Sequence, residues 1–221
     1  MPSTIGACSP ACWSPTSRGA KHCSVSSAPR TPNGPELDAL LRQKLPPIGD
    51  WRPTSLRRAA VLCPLVVQGG RDHVLLVQRP NSAPQHGGQL AFPGGMREDG
   101  ETIDATARRE CREEIGVDDA AITLLGELGV RESSSGILVH AVVARLADVP
   151  LRPDAREVAA VLHLPLHELG DEARWSERPP PGGATGNQPR LSPHFPFGPH
   201  LLWGLTGRFV RDLIAMLRRG T

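Results

Sequence analysis

The chain has 221 residues, with 25 lysines and arginines against 23 aspartates and glutamates, which gives a net charge of +2. This length suits one domain with a proper core plus tails, while the near-neutral charge, four Phe, four Trp and no Tyr argue against binding a nucleic-acid polymer. No run of about 18 apolar residues is present, so no membrane span is predicted.

The first 35 residues differ in composition from the rest of the chain. They are rich in Pro and Ser, carry basic residues but no Asp or Glu, and show no apolar periodicity. We therefore predict a disordered tail at 1–35 and a folded domain at 36–221. An acid-free start is also typical of organelle transit peptides, which leaves organelle targeting as the alternative to a cytoplasmic location.

The five cysteines divide between the tail and the folded domain. Cys8, Cys12 and Cys23 lie in the tail, and their spacing does not match the tight pairing of a zinc knuckle. Cys63 and Cys111 lie in apolar surroundings, and no activating base stands next to Cys111 in the sequence. We predict that both are reduced and buried, as expected of a cytoplasmic protein.

Three elements are predicted between residues 36 and 77. The apolar runs 59–67 and 74–77 are typical of central strands, and the Gly-containing segment 68–72 between them predicts a turn. Before these strands, four leucines with helical spacing predict a short amphipathic helix over 36–45: Leu37, Leu40, Leu41 and Leu45.

Residues 95–117 place glycine, glutamate and arginine at fixed spacings, in the pattern G-x5-E-x7-R-E-U-x-E-E-x-G-U, where U is aliphatic. Thr102 or Asp104 can cap a helix that runs to about Ile115, and Gly116 stands where a left-handed C-terminal cap is expected. Four apolar residues spaced four apart predict a buried ridge on this helix: Ile103, Ala107, Cys111 and Ile115.

Three glutamates of the same helix lie on a neighbouring arc. Glu110, Glu113 and Glu114 fall within roughly 100° of each other around the helix axis. Like charges at this spacing destabilise a helix by a few tenths of a kcal/mol per pair. The cluster is explained if Mg²⁺ or Mn²⁺ binds among the carboxylates, whereas the alternative interpretation is a solvated acidic face.

The remaining segments continue the alternation of strands and helices. The segments 122–130, 137–146 and 158–164 are rich in Val, Ile and Leu and are predicted as strands. The segment 168–200 is rich in Pro and Gly and predicts a loop or hairpin excursion, after which helical spacing returns over 205–217. Strands interleaved with helices indicate an α/β layered domain.

The pattern over 95–117 resembles the motif of the Nudix hydrolases, with Cys111 at a position that usually carries an aliphatic residue. This resemblance implies an α/β/α sandwich with a mixed β-sheet and hydrolysis of a diphosphate linkage. It also implies that the Gly95 carbonyl joins Glu110, Glu113 and Glu114 as a metal ligand. Arg109 resembles the structural arginine of the family, and we expect it to pair with Glu101 and orient the loop against the helix.

The segment before this motif is similar to the extended pattern of the coenzyme A pyrophosphatase branch, L-L-T-x-R-[SA]-x3-R-x3-G-x3-F-P-G-G. Six positions agree with it: Arg79, Gly88, Phe92, Pro93, Gly94 and Gly95. Three depart from it: Val77, Pro80 and Pro84, and proline offers no donor where the branch has its second phosphate-binding arginine. On this resemblance, the predicted substrate-binding residues are Arg79, Gln89, Phe92 and Gly94, although Phe92 also suits a purely structural role in the core.

The sequence leaves the general base open between Glu113 and Glu157. The leading hypothesis is metal-dependent cleavage of coenzyme A or acyl-coenzyme A into 3′-phosphoadenosine 5′-phosphate and 4′-phosphopantetheine or its acyl form. The first alternative is another nucleoside diphosphate derivative, such as ADP-ribose, a dinucleotide or a nucleotide sugar. The second is a nucleotide-binding module without catalysis. The predicted partner is thus a small nucleotide, and a homodimer is left open.

Overall fold

The computed structural model of the chain describes residues 33–83, 86–181 and 191–218. All of them belong to one compact unit, Thr31–Thr221. The tail predicted at 1–35, with its three cysteines, falls outside the described residues except for its last three positions. Pro84 also falls outside them.

The elements follow one another in the order that the sequence predicts, with additional short strands. The helices are α1 (Pro35–Lys44), α2 (Ile103–Ile115), α3 (Leu166–Leu169) and α4 (Gly204–Arg218). The strands are β1 (Arg57–Gln68), β2 (Arg71–Gln78), β3 (Leu90–Ala91), β4 (Gly94–Met96), β5 (Ile122–Glu132), β6 (Ile137–Leu146), β7 (Ala160–Pro165), β8 (Ser176–Arg178), β9 (Ser192–Phe197) and β10 (His200–Trp203). In the part of the chain that is described, no helix combines the length and apolarity that crossing a membrane requires.

A mixed sheet of seven strands forms the centre of the domain. Its main order is β3-β2-β1-β6-β5, with β4 paired to β1 and β7 paired to β2. β1 and β6 are parallel, and the other pairs are antiparallel. Because helices cover both faces of this sheet, the middle of β1 is buried on both sides, which explains its near-continuous apolar sequence.

Two apolar clusters lie on opposite faces of this sheet. On one face, the predicted ridge of α2 is fully buried against strand residues such as Ala60 and Leu62. On the other face, α1 and α4 contribute Leu37, Leu41 and Phe209 to a cluster that includes Cys63. This arrangement confirms the α/β class and the layers of helix, sheet and helix. Both Cys63 and Cys111 are free and buried, as predicted.

Two regions differ from the prediction in detail. The segment 168–200, predicted as a loop or hairpin excursion, contains antiparallel strand pairs as a hairpin would, but β8, β9 and β10 together form a separate three-stranded sheet. The strand predicted over 158–164 begins later, at Ala160. Glu157 therefore lies in a turn before β7, where its N–H donates to the Asp154 carbonyl, and not on a strand.

A buried group of charges fixes α1 to the sheet. Arg145 of β6 lies 2.5 Å from Asp72 Oδ1 and 2.7 Å from Asp38 Oδ1 of α1. The Asp72 side chain is only 3% exposed, and its second oxygen accepts from the Gly34 N–H just before α1. These residues are far apart in sequence, so the contact joins the first helix to β2 and β6.

Candidate metal and phosphate site

The helix α2 holds its functional side chains between two well-defined ends. The Thr102 hydroxyl accepts from the Ala105 N–H, and Gly116 adopts the left-handed conformation with φ 69° and ψ 27°. Both caps are those that the sequence predicts. The helix thus begins two residues after Glu101, and Arg109 faces the loop that connects β4 to α2.

Arg109 is the centre of a hydrogen-bond network that joins this loop to α2. Its guanidinium donates to Glu101 Oε1 at 2.7 Å, to Glu110 Oε1 at 2.8 Å and to Glu113 Oε2 at 2.9 Å. It also donates to the Met96 carbonyl at 2.9 Å. The predicted pairing of Arg109 with Glu101 is therefore present, and the same arginine also orients two of the three clustered glutamates.

Glu101 is held as a carboxylate by these contacts. The hydrogen bonds from Arg109 are the largest cause that lowers its pKa to about 2, and further hydrogen bonds come from the Glu98 N–H and the Thr106 hydroxyl. Its backbone carbonyl accepts from the indole N–H of Trp51 at 2.7 Å. The loop before α2 is thus fixed through both the side chain and the main chain of Glu101.

The carboxylates of Glu110 and Glu114 lie below the surface, beside the two glycines of β4. The Gly94 N–H donates to Glu114 Oε2 at 3.3 Å, and a Cβ on Gly95 would lie 2.3 Å from Glu110 Oε1. At Gly94, a Cβ would lie 2.5 Å from the Ala60 carbonyl oxygen. Gly94 therefore needs to be glycine for the close approach of β4 to β1, whereas a side chain at position 95 would displace the Glu110 carboxylate.

The charges in this cluster are poorly compensated. Burial, followed by the charge of Glu110, raises the pKa of Glu114 from 4.5 to about 8, although its side chain keeps the Gly94 hydrogen bond. Burial also raises the pKa of Glu110, against the opposing effect of Arg109. The Glu157 carboxylate adds a smaller rise to both pKa values, so the structure brings its charge near this cluster.

The donor set fits a hard divalent cation, since the buried Glu114 carboxylate has no ion-pair partner and carboxylate and carbonyl oxygens are the ligands that Mg²⁺ and Mn²⁺ prefer. Glu114 is only 3% exposed, and no arginine or lysine forms an ion pair with it within the described ranges. Over the same ranges, no three His, Cys, Asp or Glu side chains are gathered closely enough to form a ready-made metal site. Glu113 is 54% exposed and turns towards Arg109.

The predicted substrate-binding residues share one large cavity. A cavity of about 1410 Å³ is lined by Arg79, Gln89, Phe92, Gly94 and Gly95, among others. The Arg79 Nε is buried without a hydrogen-bond partner, and the Gln89 Oε1 lies 3.1 Å from His86 Nδ1. Phe92 is 3% exposed and belongs to a core cluster, so it lines the cavity and supports the core at once.

Part of the lining of this cavity was not predicted from the sequence. It comes from β5 and from the segment around α4, and it includes Trp203, Leu205 and Phe209. These residues are distant from the glycine-rich segment in sequence, and only the folding of α4 onto the sheet brings them there. The apolar periodicity over 205–217 predicts that one face of α4 is buried, but not that its first turn borders a cavity.

Comparison with known proteins identifies the family of this domain. The NUDIX domain model matches residues 56–182. The uncharacterized Nudix hydrolases NudL of Yersinia pestis (strain Pestoides F) and Yersinia pseudotuberculosis serotype O:1b (strain IP 31758) are each 33% identical to this chain over 159 residues, covering 71% of this chain and 78% of theirs. A crystal structure of a C. elegans Ap4A hydrolase binary complex aligns with a TM-score of 0.44 and 22% identity, over 51% of this chain and 82% of that one.

Proposed function

Since the chain belongs to the Nudix hydrolase family and is a pyrophosphatase acting on phosphoanhydride bonds, we propose that its substrate is coenzyme A or an acyl-coenzyme A. The products would be 3′-phosphoadenosine 5′-phosphate and 4′-phosphopantetheine or its acyl form. The observation that carries this proposal is the shared cavity: the residues that match the coenzyme A pattern, Arg79 and Phe92, line the same cavity as Gly94 and Gly95.

The size and lining of the cavity support a long substrate. At about 1410 Å³ it exceeds the ~300–1,000 Å³ of ordinary small-molecule sites. Its lining includes Gly94 and Gly95, which adjoin the carboxylate cluster, and apolar residues such as Trp203, Leu205 and Phe209. Such a lining suits a substrate that combines a charged diphosphate with a long, largely uncharged arm.

Four groups of this chain would hold the Mg²⁺ or Mn²⁺: the carboxylates of Glu110, Glu113 and Glu114 and the Gly95 carbonyl. When bound, the cation screens the negative diphosphate and lowers the pKa of water. Arg109 positions Glu110 and Glu113 through the hydrogen bonds described above. Because Glu113 is largely exposed, its carboxylate is free to rotate from Arg109 towards the other two glutamates.

Two further roles follow from side-chain positions. Arg79 borders the cavity with a buried Nε that has no acceptor, so a substrate phosphate would supply the missing hydrogen bond. The general base is assigned to Glu113 or Glu157, and the negative charges of both carboxylates raise the pKa of Glu110. Either residue would accept the proton of the attacking water at its carboxylate.

The substrate proposal is tested with a panel of coenzyme A, ADP-ribose and a dinucleotide, each incubated with purified protein and Mn²⁺. We expect coenzyme A to be cleaved with the highest kcat/KM, giving the two products named above on chromatography. If coenzyme A stays intact while ADP-ribose or the dinucleotide is cleaved, the substrate assignment is wrong and the other nucleoside diphosphate derivatives become the substrate class. The prolines at positions 80 and 84 are the sequence features that favour that outcome.

Replacing Gly95 with alanine is expected to lower activity by about 10²-fold, the typical effect of displacing a catalytic group by roughly 1 Å. The added methyl would lie 2.3 Å from Glu110 Oε1, so the Glu110 carboxylate must move. Steady-state kinetics and Mn²⁺ titration calorimetry on the folded variant measure this effect. Gly49→Ala is the control, because a Cβ at Gly49 meets no atom within 4 Å; equal activity of both variants would contradict a role for the Gly95–Glu110 contact.

A further inference from the structure

A second, smaller cavity adjoins the site and is lined mainly by arginines. It has a volume of about 340 Å³ and is bordered by Leu56, Arg57, Arg58, Met96 and Arg97. We call it the arginine pocket. It lies where the beginning of β1 meets the end of β4, because the Arg97 N–H donates to the Arg58 carbonyl.

The positive charge of the arginine pocket is not balanced by acidic side chains. Over the described ranges, no carboxylate forms an ion pair with any of its three arginines. Arg58 and Arg97 donate instead to the backbone carbonyls of Thr54 and Glu101. The Arg58 Nε is buried and has no acceptor.

Several arginines elsewhere in the described residues are paired with acidic side chains. Arg109, Arg131, Arg145, Arg156 and Arg174 all pair with aspartate or glutamate. Like charges that lie close together repel each other, and an anion bound near these three arginines would relieve that repulsion. Planar guanidinium groups recognise phosphate oxygens with paired hydrogen bonds, so a phosphate group is the anion that suits this pocket.

The arginine pocket and the substrate cavity share one lining residue. Met96 lines both, and its partner Ala59 across β1 and β4 lines the substrate cavity. Arg57 lies on the same face of β1 as Ala59 and Val61, and Arg58 lies on the opposite face, because alternate residues of a strand share a face. Ile137, the neighbour of Arg57 on β6, also lines the substrate cavity.

The distance between the two sites suits one nucleotide. Gly95 pairs with Ala60, and Arg57 stands three residues before Ala60 on β1, which is roughly 10 Å along the strand. An extended arginine side chain shortens this gap further. This separation is of the order that two phosphates on different hydroxyls of a single ribose would have to span between Gly95 and the arginine pocket.

We propose that the arginine pocket binds a phosphomonoester on the substrate ribose, separate from the diphosphate that is cleaved. The inference rests on the proposed function, and it names the substrate class more closely: nucleoside diphosphate derivatives that carry an additional ribose phosphate. Coenzyme A has this group as its 3′-phosphate, whereas ADP-ribose and dephospho-coenzyme A lack it. The pocket thus selects among substrates that share the same diphosphate linkage.

The variant Arg57→Gln tests this selection. The ratio of kcat/KM for coenzyme A over dephospho-coenzyme A is measured for the wild type and the variant. We expect the wild type to prefer coenzyme A and the ratio to fall about tenfold in Arg57→Gln, the scale of losing one charge-assisted hydrogen bond. Arg42→Gln is the control for charge, since Arg42 is exposed on α1, and its ratio should equal that of the wild type. An unchanged ratio in Arg57→Gln overturns the proposal.

A binding measurement separates this proposal from the identity of the substrate. Calorimetry compares adenosine 3′,5′-bisphosphate, adenosine 5′-monophosphate and inorganic phosphate. We expect tighter binding of the bisphosphate in the wild type and loss of that advantage in Arg57→Gln, even if coenzyme A is not cleaved and the proposed function fails. If the bisphosphate binds no more tightly than the monophosphate, the proposal is wrong. The proposal is equally wrong if Arg57→Gln weakens the binding of inorganic phosphate but not that of the bisphosphate, because the pocket is then a site for free anions.

Discussion

Replacing Glu114 with glutamine is expected to lower metal-dependent hydrolysis by roughly 10²–10³-fold, the usual effect of removing one group that stabilises transition-state charge. The amide keeps the shape of the side chain, and its oxygen still accepts from the Gly94 N–H. Only the negative charge is lost. Because Glu114 is 3% exposed and has no cationic partner among the described side chains, this charge is the part of the residue that a cation would use.

The stability of the same variant provides an independent measurement. Without metal, Glu114→Gln should be at least as stable as the wild type in thermal unfolding at neutral pH, because a neutral amide replaces a carboxylate that burial disfavours. Added Mn²⁺ should raise the melting temperature of the wild type more than that of the variant. Glu177→Gln, at an exposed position of β8, serves as the matched control. Full activity of Glu114→Gln would show that this carboxylate does not take part in hydrolysis.

Replacing Arg145 with methionine is expected to lower the free energy of unfolding by about 3–5 kcal/mol, the cost of breaking a buried ion pair from one side. Asp72 would then stay buried without its positive partner, and Asp38 of α1 would lose the same contact. Urea denaturation followed by circular dichroism measures the change. We expect the substitution to change stability more than activity, because Arg145 does not line the substrate cavity.

The control for this experiment is an exposed ion pair of the same chemistry. Arg112 pairs with Asp119 at 3.1 Å, with side chains that are 48% and 54% exposed. Surface pairs contribute about 0–1 kcal/mol, so Arg112→Met should change stability little. A loss below ~1 kcal/mol in Arg145→Met, equal to that of the control, would show that α1 does not depend on the buried charges.

The parts of the fold that the sequence predicts well are those set by local chemistry. The caps of α2, at Thr102 and Gly116, depend on residues within about one helical turn of each other. The buried ridge of α2 depends on the regular spacing of its apolar residues. The strand runs at 59–67 and 137–146 are likewise visible as apolar segments. Their parallel pairing is not visible, since the register joins residues about eighty positions apart.

The candidate site shows the same limit. Helical spacing predicts that Glu110, Glu113 and Glu114 share an arc, but it does not predict that Arg109 donates to two of them. Burial separates these glutamates further, because Glu114 is enclosed by β4 while Glu113 faces solvent. Such differences depend on which element packs over each residue, and that information is not contained in the helix itself.

The arginine pocket could not be recognised before the strands were paired. Arg57 and Arg58 precede an apolar strand, and Arg97 follows the glycines of β4. Each one alone resembles an ordinary surface arginine. Only the antiparallel register of β1 and β4 brings Arg97 beside Arg58.

The central claim is that the carboxylates of α2 and the glycines of β4 hold divalent cations for diphosphate cleavage. The most direct measurement is an anomalous difference map from crystals of the protein soaked in Mn²⁺. We predict manganese peaks within bonding distance of Glu110 and Glu114 and of the Gly95 carbonyl. A fully soaked crystal with no manganese at these groups, and with Glu110 still bound only to Arg109, would contradict the claim.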